Sequence, residues 1–273
     1  MSRTLRFTKM SGTGNYFILV DNRAGAIAED RKAGLARALS ARRVAVGADG
    51  LILLEKSDAA DVRMRIFNAD GSEAEMCGNG SRCLARFAVS AGAAGAAMTI
   101  ETLAGPVRAE VEGSTVAVEL TPPGEIASKG ELSFAGQRRE VWFADTGVPH
   151  AVVLVEDIED ADVRAWGRAL RFHEAFRPRG ANADFVQALA PGAIAVRTYE
   201  RGVEDETLAC GTGAAASALV AAHLNGWSSP VDVHVRSGEK LRVHFRGRGP
   251  RFDGASLAGA VAVTFRGEVD IDG

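Results

Sequence analysis

The chain of 273 residues has only three cysteines, at 77, 83 and 210. An odd count this small argues against a secreted disulfide framework, and the lack of any Cys-x-x-Cys pair argues against a thioredoxin-type redox site. A structural zinc site needs more ligands than these cysteines supply. Cys77 and Cys83 would stand roughly 240° apart around a helix axis, which weakens any shared metal site. Basic runs are also missing. Arginine is scattered among acids, the net charge is −3 and the sequence pI is near 6.0, so nothing electrostatic calls for nucleic acid. The most apolar stretch, Ala214 to Ala222, falls short of the roughly eighteen residues that suggest a membrane span. The first ten residues, MSRTLRFTKM, lack the apolar core of a signal peptide. These absences lead to the expectation of a cytoplasmic protein with no nucleic-acid or membrane partner and no metal.

What is present is a repeat. Cys77 and Cys210 each open the phrase Cys-Gly-x-Gly, 133 positions apart (210 minus 77). At that offset GNYFILV (14–20) lands on GVPHAVV (147–153), Glu73 on Glu206 and Gly105 on Gly238. Asn15 then lies opposite Val148, and Asn68 opposite Arg201. One offset shared by several landmarks reads as a duplicated unit. Two such units usually pack about a pseudo-twofold axis, which would set the two thiols face to face. Opposed thiols can remove a proton from one side of a carbon and return one on the other.

Length and ordinary composition allow two domains with proper cores. Strands are expected at Leu5–Met10, Tyr16–Val20, Leu51–Leu54, Val62–Phe67, Met98–Thr102 and Val116–Leu120, with helices at Glu29–Leu39 and after Cys77 through Ala91. The plan repeats with strands at Val141–Ala144, Ala151–Val155, Phe185–Leu189, Ile194–Tyr199, Val231–Val235 and Lys240–Phe245. Its helices are Val163–Leu170 and Cys210–Leu224. A last strand, Gly259–Gly267, returns to the first domain. Two prolines and a glycine at 121–124 mark the boundary. The domains are expected as 1–121 with 260–273, and 122–259. The fold class is α+β: two homologous, pseudo-twofold-related domains, each of mainly antiparallel strands around one principal helix.

Each cysteine phrase falls where a helix begins. There the first N–H groups lack intrahelical partners and the dipole presents its positive end. Such a place binds a carboxylate and lowers a thiol's pKa, and glycine lets a ligand approach the backbone. Cys83, opposite Ala216, is assigned to packing.

The segments KMSGTGNYF (9–17), RIFNADGSEAEMCGNGSRCLARF (65–87), TGVPH (146–150) and YERGVEDETLACGTGAA (199–215) resemble the signature segments of the diaminopimelate epimerases, and the likeness runs from Phe7 to the C-terminal strand. The resemblance implies a cofactor-independent, two-base epimerase interconverting LL- and meso-2,6-diaminopimelate in lysine and peptidoglycan biosynthesis, and a homodimer. It implies Cys77 and Cys210 as alternating base and acid. Gly78, Asn79, Gly211 and Thr212 are implied as ligands of the reacting carboxylate, and Asn15, Asn68, Asn182, Glu200 and Arg201 as further substrate contacts. His150 and Glu200 are implied to tune the thiols. None of the five lysines (9, 32, 56, 129, 240) lies in a pyridoxal phosphate motif. The chain departs from many members at Val148, where they carry asparagine, and at Gly50, where some present a polar side chain. Two alternatives stay open: a racemase of proline, hydroxyproline or histidine, and a redox-sensing dithiol protein.

Overall fold

The computed structural model describes residues 3–271; residues 1, 2, 272 and 273, which fall within the expected domain limits, lie outside it. The chain divides into two compact units, one reaching Val118 and resuming at Gly259, the other Glu119–Ala258.

The first unit runs β1 (Arg3–Gly12), β2 (Asn15–Asp21), α1 (Glu29–Ser40), β3 (Gly50–Glu55), β4 (Val62–Asn68), β5 (Glu73–Ala74), α2 (Gly78–Ser90), β6 (Ala97–Thr102), β7 (Gly105–Glu112) and β8 (Thr115–Glu119). β2 and β3 pair in parallel across the α1 crossover, from Phe17↔Gly50 to Asp21↔Leu54. Phe17–Val20 and Leu51–Leu54 are all buried, as expected of parallel strands covered on both faces. Ile18, Val20, Leu51, Leu53 and Phe67 pack in a core with Ala36 and Leu39 of α1. The other face meets α2, because a Cβ on Gly80 would stand 3.1 Å from both Ile52 Cδ1 and Ile66 Cδ1. Helix α2 touches β1, β2, β3, β4, β6 and β7; it is the principal helix of the unit.

The second unit runs β9 (Ala127–Phe134), β10 (Gln137–Asp145), β11 (Pro149–Leu154), α3 (Val163–Arg171), β12 (Asn182–Ala190), β13 (Ala193–Glu200), β14 (Asp205–Thr207), α4 (Gly211–Asn225), β15 (Val231–Val235), β16 (Lys240–Arg248) and the start of β17 (Arg251–Ile271). Helix α4 is buried continuously from Gly213 to Ala222. Its alanine-rich sequence suits that place, because a helix apolar on every side must be covered on every side. It touches β10, β11, β12, β13, β15 and β16. It ends on Gly226 in the left-handed region, φ 66°, the usual glycine stop.

Strand pairing repeats between the units. β2 and β3 are parallel, β3–β4 and β4–β5 antiparallel, β4–β6 parallel and β6–β7 antiparallel. β11–β12, β12–β13, β13–β14, β13–β15 and β15–β16 follow the same series. The offset is not constant, however. Phe17↔Gly50 corresponds to His150↔Asn182, and Phe67↔Glu73 to Tyr199↔Glu206. β3 and β4 therefore map onto β12 and β13 one residue short of the offset that holds for β2, β5 and α2. This corrects the sequence register: Asn68 stands opposite Glu200, not Arg201, and Gly50 opposite Asn182. The ion pairs Arg65–Glu73 and Arg197–Glu206 fall at matching places under the corrected register.

Four strands differ from the sequence expectation: the short β5 and β14, and the longer β7 and β9. In β7 only Ala109 is buried and in β9 only Phe134, so neither has the apolar alternation that marks a half-buried strand. The end of β17 pairs antiparallel with β1, from Gly12↔Val261 to Arg3↔Ile271.

Gly167 of α3 admits Tyr199 of β13, since a Cβ there would lie 2.3 Å from Tyr199 Cβ. Gly167→Ala is expected to lose about 1–3 kcal/mol by overpacking. By contrast, beyond its chain neighbours and the backbone of α1 itself, no described residue lies within 4 Å of the Cβ position of Gly34. Gly34→Ala should therefore gain about 0.5–1 kcal/mol of helix stability. Urea midpoints of the two variants against the parent check both signs.

Candidate active site

Both cysteines are the residues just before a principal helix, in extended backbone: Cys77 at φ −146°, ψ 119° and Cys210 at φ −117°, ψ 114°. The glycine three residues on, Gly80 or Gly213, lets the first helical turn settle onto the strands beneath it. The thiol is thus placed by packing of a buried helix and not by a free loop.

In the first unit Cys77 is half-buried and its Sγ accepts the Gly80 N–H at 3.5 Å. Beyond its chain neighbours and the backbone of α2, no described residue lies within 4 Å of the Cβ position of Gly78, so no other element covers the backbone beside Cys77. Asn79 donates through Nδ2 to Asn15 Oδ1 at 2.7 Å, and its own Oδ1 accepts from the buried Arg82 at 2.7 Å. Arg82 also donates to Thr13 Oγ1, while Asn15 donates to Asp49 Oδ2 at 3.3 Å. The structure therefore joins Asn15 and Asn79 into one network. Asn68 is exposed and bonds to Ser72 Oγ instead. Gly50 is sterically required: a Cβ would stand 2.6 Å from the Phe67 carbonyl oxygen. Cys83 is fully buried, with its Sγ close against Gly12.

The second unit is more polar. His150 and Asp184 have no exposed surface, and Nδ1 of the ring lies 2.7 Å from Asp184 Oδ2. Thr198 donates to Asp184 Oδ1 at 2.7 Å. Asn182 accepts the Arg201 N–H at 2.7 Å through Oδ1, leaving Nδ2 to face His150 Nε2 at 3.4 Å. Read as donors and acceptors, this chain puts the ring proton on Nδ1 and the lone pair on Nε2. The Arg201 guanidinium reaches the Arg179 carbonyl at 3.2 Å. Thr146 donates to the Thr212 carbonyl at 3.0 Å, tying the TGVPH segment to the first turn of α4. Val148, for its part, offers its carbonyl to the Thr146 N–H at 3.2 Å.

Cys210 makes no side-chain capping bond; its Sγ lies 3.4 Å from Thr212 Oγ1. The lowered thiol pKa expected at a helix start does not hold here. Burial pushes the Cys210 thiol strongly up, and the negative charges of Glu200 and Asp184 push the same way against the Thr212 hydroxyl and the Gly213 N–H. Burial also raises the Glu200 carboxyl, opposed by the Thr207 hydroxyl and His150, with Asp184 adding to the rise. Asp49, Arg82, Thr146, Asp184 and Thr198 were not singled out from the sequence. For Asp184 a signal existed, since it is a charged residue inside the otherwise apolar run ADFV.

Among the described residues no group of three or more His, Cys, Asp or Glu side chains is arranged to hold a metal, and no helix is long and apolar enough to cross a membrane. The family model "Diaminopimelate epimerase" matches residues 7–124 and 142–253. The chain belongs to the diaminopimelate epimerase family. It is 47% identical over 253 residues to the diaminopimelate epimerase of Aquifex aeolicus (strain VF5), covering 88% of this chain and 90% of that protein. It is 41% identical over 269 residues to that of Chlorobaculum tepidum, covering 96% and 100%. Solved structures share the fold at low identity. A PhzF-family phenazine biosynthesis protein of Bacillus anthracis aligns with TM-score 0.73 and 17% identity over 98% of this chain and 100% of its own. A hydroxyproline epimerase of Agrobacterium vitis aligns with TM-score 0.65 and 18% identity over 99% and 94%. The epimerase family is a family of isomerases.

The raised Glu200 carboxyl has a defined sign for stability. It keeps its proton longer in the folded than in the unfolded chain, so folding stability falls as pH climbs from the ordinary carboxylate range toward the raised value. Glu200→Gln removes that penalty. The variant should match the parent at about pH 4 and exceed it at about pH 8, read from urea midpoints. A variant less stable throughout would show that the carboxylate is a net stabilising group.

Proposed function

We propose that this chain interconverts LL- and meso-2,6-diaminopimelate by a two-base exchange at Cys77 and Cys210. The observation that carries the reading is the pair of helix-start cysteines, each in the same Cys-Gly-x-Gly frame of a duplicated fold, in a chain of this family. Inversion at carbon requires a base on one face and an acid on the other. One thiolate takes the α-proton and becomes a thiol; the other thiol gives its proton to the carbanion and becomes a thiolate. The reverse direction exchanges the roles.

The first N–H groups of α2 and α4, at Gly78–Asn79 and Gly211–Thr212, serve the carboxylate of the reacting centre and the charge that grows as the proton leaves. Asn15, bonded to Asn79, places the first set. Asn182, Glu200 and Arg201, with Asn68, serve the second amino-acid end of the substrate, for which adjacent acidic and basic side chains are suited. His150 and Glu200 tune Cys210. The reading uses no cofactor and no metal, because the proton transfers need only the thiols and backbone donors. It places the enzyme in the cytoplasm as a homodimer, on family resemblance and on the prevalence of twofold oligomers.

Likeness to a hydroxyproline epimerase concerns the fold alone, and a substrate charged at both ends is favoured by Glu200 and Arg201. α-Proton exchange in deuterated buffer, with diaminopimelate, proline and histidine side by side, is expected to proceed with the first only. Cys77→Ala and Cys210→Ala should each lower epimerisation by about 10³-fold while substrate still binds. Exchange with proline or histidine alone would overturn the substrate, and full activity in either cysteine variant would overturn the two-base scheme.

A further inference from the structure

The duplication supplies an internal control for the two cysteines. Under the corrected register Phe17, Ile52 and Ile66 of the first unit stand where His150, Asp184 and Thr198 stand in the second. The contacts of the helix glycines agree. The Cβ position of Gly80 faces Ile52 and Ile66, each at 3.1 Å, whereas that of Gly213 faces Asp184 Oδ1 at 2.4 Å and Thr198 Oγ1 at 3.2 Å. Hydrocarbon lies beneath the first turn after Cys77, and a buried carboxylate beneath the first turn after Cys210.

We propose that Asp184 is the positioning residue that makes the two thiols unequal: its carboxylate, held under the first turn of α4, keeps Cys210 the proton donor of the resting enzyme, with Cys77 the base. The inference rests on the two-base reading above. Geometry supplies two effects. The carboxylate takes up the positive end of the α4 dipole that would otherwise favour a thiolate, and it adds a like charge close to the sulfur. Asp184 also orients His150 by accepting the Nδ1–H at 2.7 Å. The charged and titratable groups facing this cluster are Asp184 from β12, Glu200 from β13, His150 from β11 and Cys210 at the start of α4. Both thiols meet a helix N–H, that of Gly80 for Cys77 and that of Gly213 for Cys210, so what separates them is the hydrocarbon of Ile52 and Ile66 under one turn and the Asp184 carboxylate under the other.

In the first half-reaction, then, the Cys77 thiolate takes the α-proton and the Cys210 S–H bond breaks toward the carbanion. That leaves a Cys77 thiol and a Cys210 thiolate, and the second substrate epimer restores the starting pair.

The test measures iodoacetamide alkylation of each cysteine against pH in the full-length protein, with peptides resolved by mass spectrometry. In the parent Cys77 should react at lower pH than Cys210. In Asp184→Asn the Cys210 profile is expected to move down by about one pH unit while the Cys77 profile stays. The kcat–pH profile should shift with it, a change that a merely structural role would not produce. ¹⁵N spectra of His150 in the parent, which need no variant, should show Nδ1 protonated and Nε2 bare. An unmoved Cys210 profile in a folded Asp184→Asn protein, Cys210 reacting before Cys77 in the parent, or the opposite tautomer would overturn the proposal. If instead the cysteine variants retain epimerisation, the two-base reading itself fails, so the two failures are distinguishable.

Discussion

A glycine at the third position of a buried helix is the constraint on which both halves of this protein depend. Gly80 and Gly213 let α2 and α4 settle onto the strands below: a Cβ would press on Ile52 and Ile66 at the first and collide with Asp184 at the second. Because each helix is enclosed by six strands of its own unit, its long axis is set by core packing and its N-terminus is the place where polar backbone remains available. A cysteine fixed just before such a terminus has little freedom. Reactive groups held by rigid, well-packed elements are more accurately placed than those carried on loops, and proton transfer to and from a carbon needs that accuracy.

Around this shared frame the two units have taken on different chemistry. The first rests its helix start on Ile52 and Ile66 and reserves its polar contacts for the row Arg82, Asn79, Asn15 and Asp49. The second replaces hydrocarbon by His150, Asp184 and Thr198, all fully or nearly fully buried. A buried carboxylate is costly unless hydrogen-bonded, and here both oxygens accept, one from His150 and one from Thr198. The cluster is connected onward to Asn182 and the Arg201 backbone. Glu200 therefore belongs to the same electrostatic neighbourhood as Cys210, even though ten residues separate them in sequence. Symmetry of the backbone supplies two equivalent helix-start thiols, and asymmetry of the buried side chains gives them different surroundings.

The departures from the family pattern also acquire physical reasons. Gly50 leaves no room for a side chain because the Phe67 carbonyl lies against it, so the polar group seen in some relatives has no place here. Val148 contributes its backbone carbonyl to the turn that carries Thr146, and Thr146 in turn holds the first turn of α4. Loss of the asparagine amide at 148 leaves that tie intact.

Local chemistry was legible from the chain alone. Two Cys-Gly-x-Gly phrases identify helix starts, because glycine and an extended residue before an apolar run have few other uses. Continuous apolar runs such as Leu51–Leu54 identify strands covered on both faces, and the motif segments identify the family. Strands β7 and β9 were not legible, because burial of one side chain each leaves no periodic trace. Only the tertiary structure decided the one-residue slip between the copies, which inserts itself silently between strands. It alone set Glu200 opposite Asn68 and Asp184 beneath Gly213. It also reversed the expected direction for the Cys210 thiol. A helix terminus by itself favours a thiolate, but burial and the charges of Glu200 and Asp184 act through space, at distances that sequence spacing does not encode.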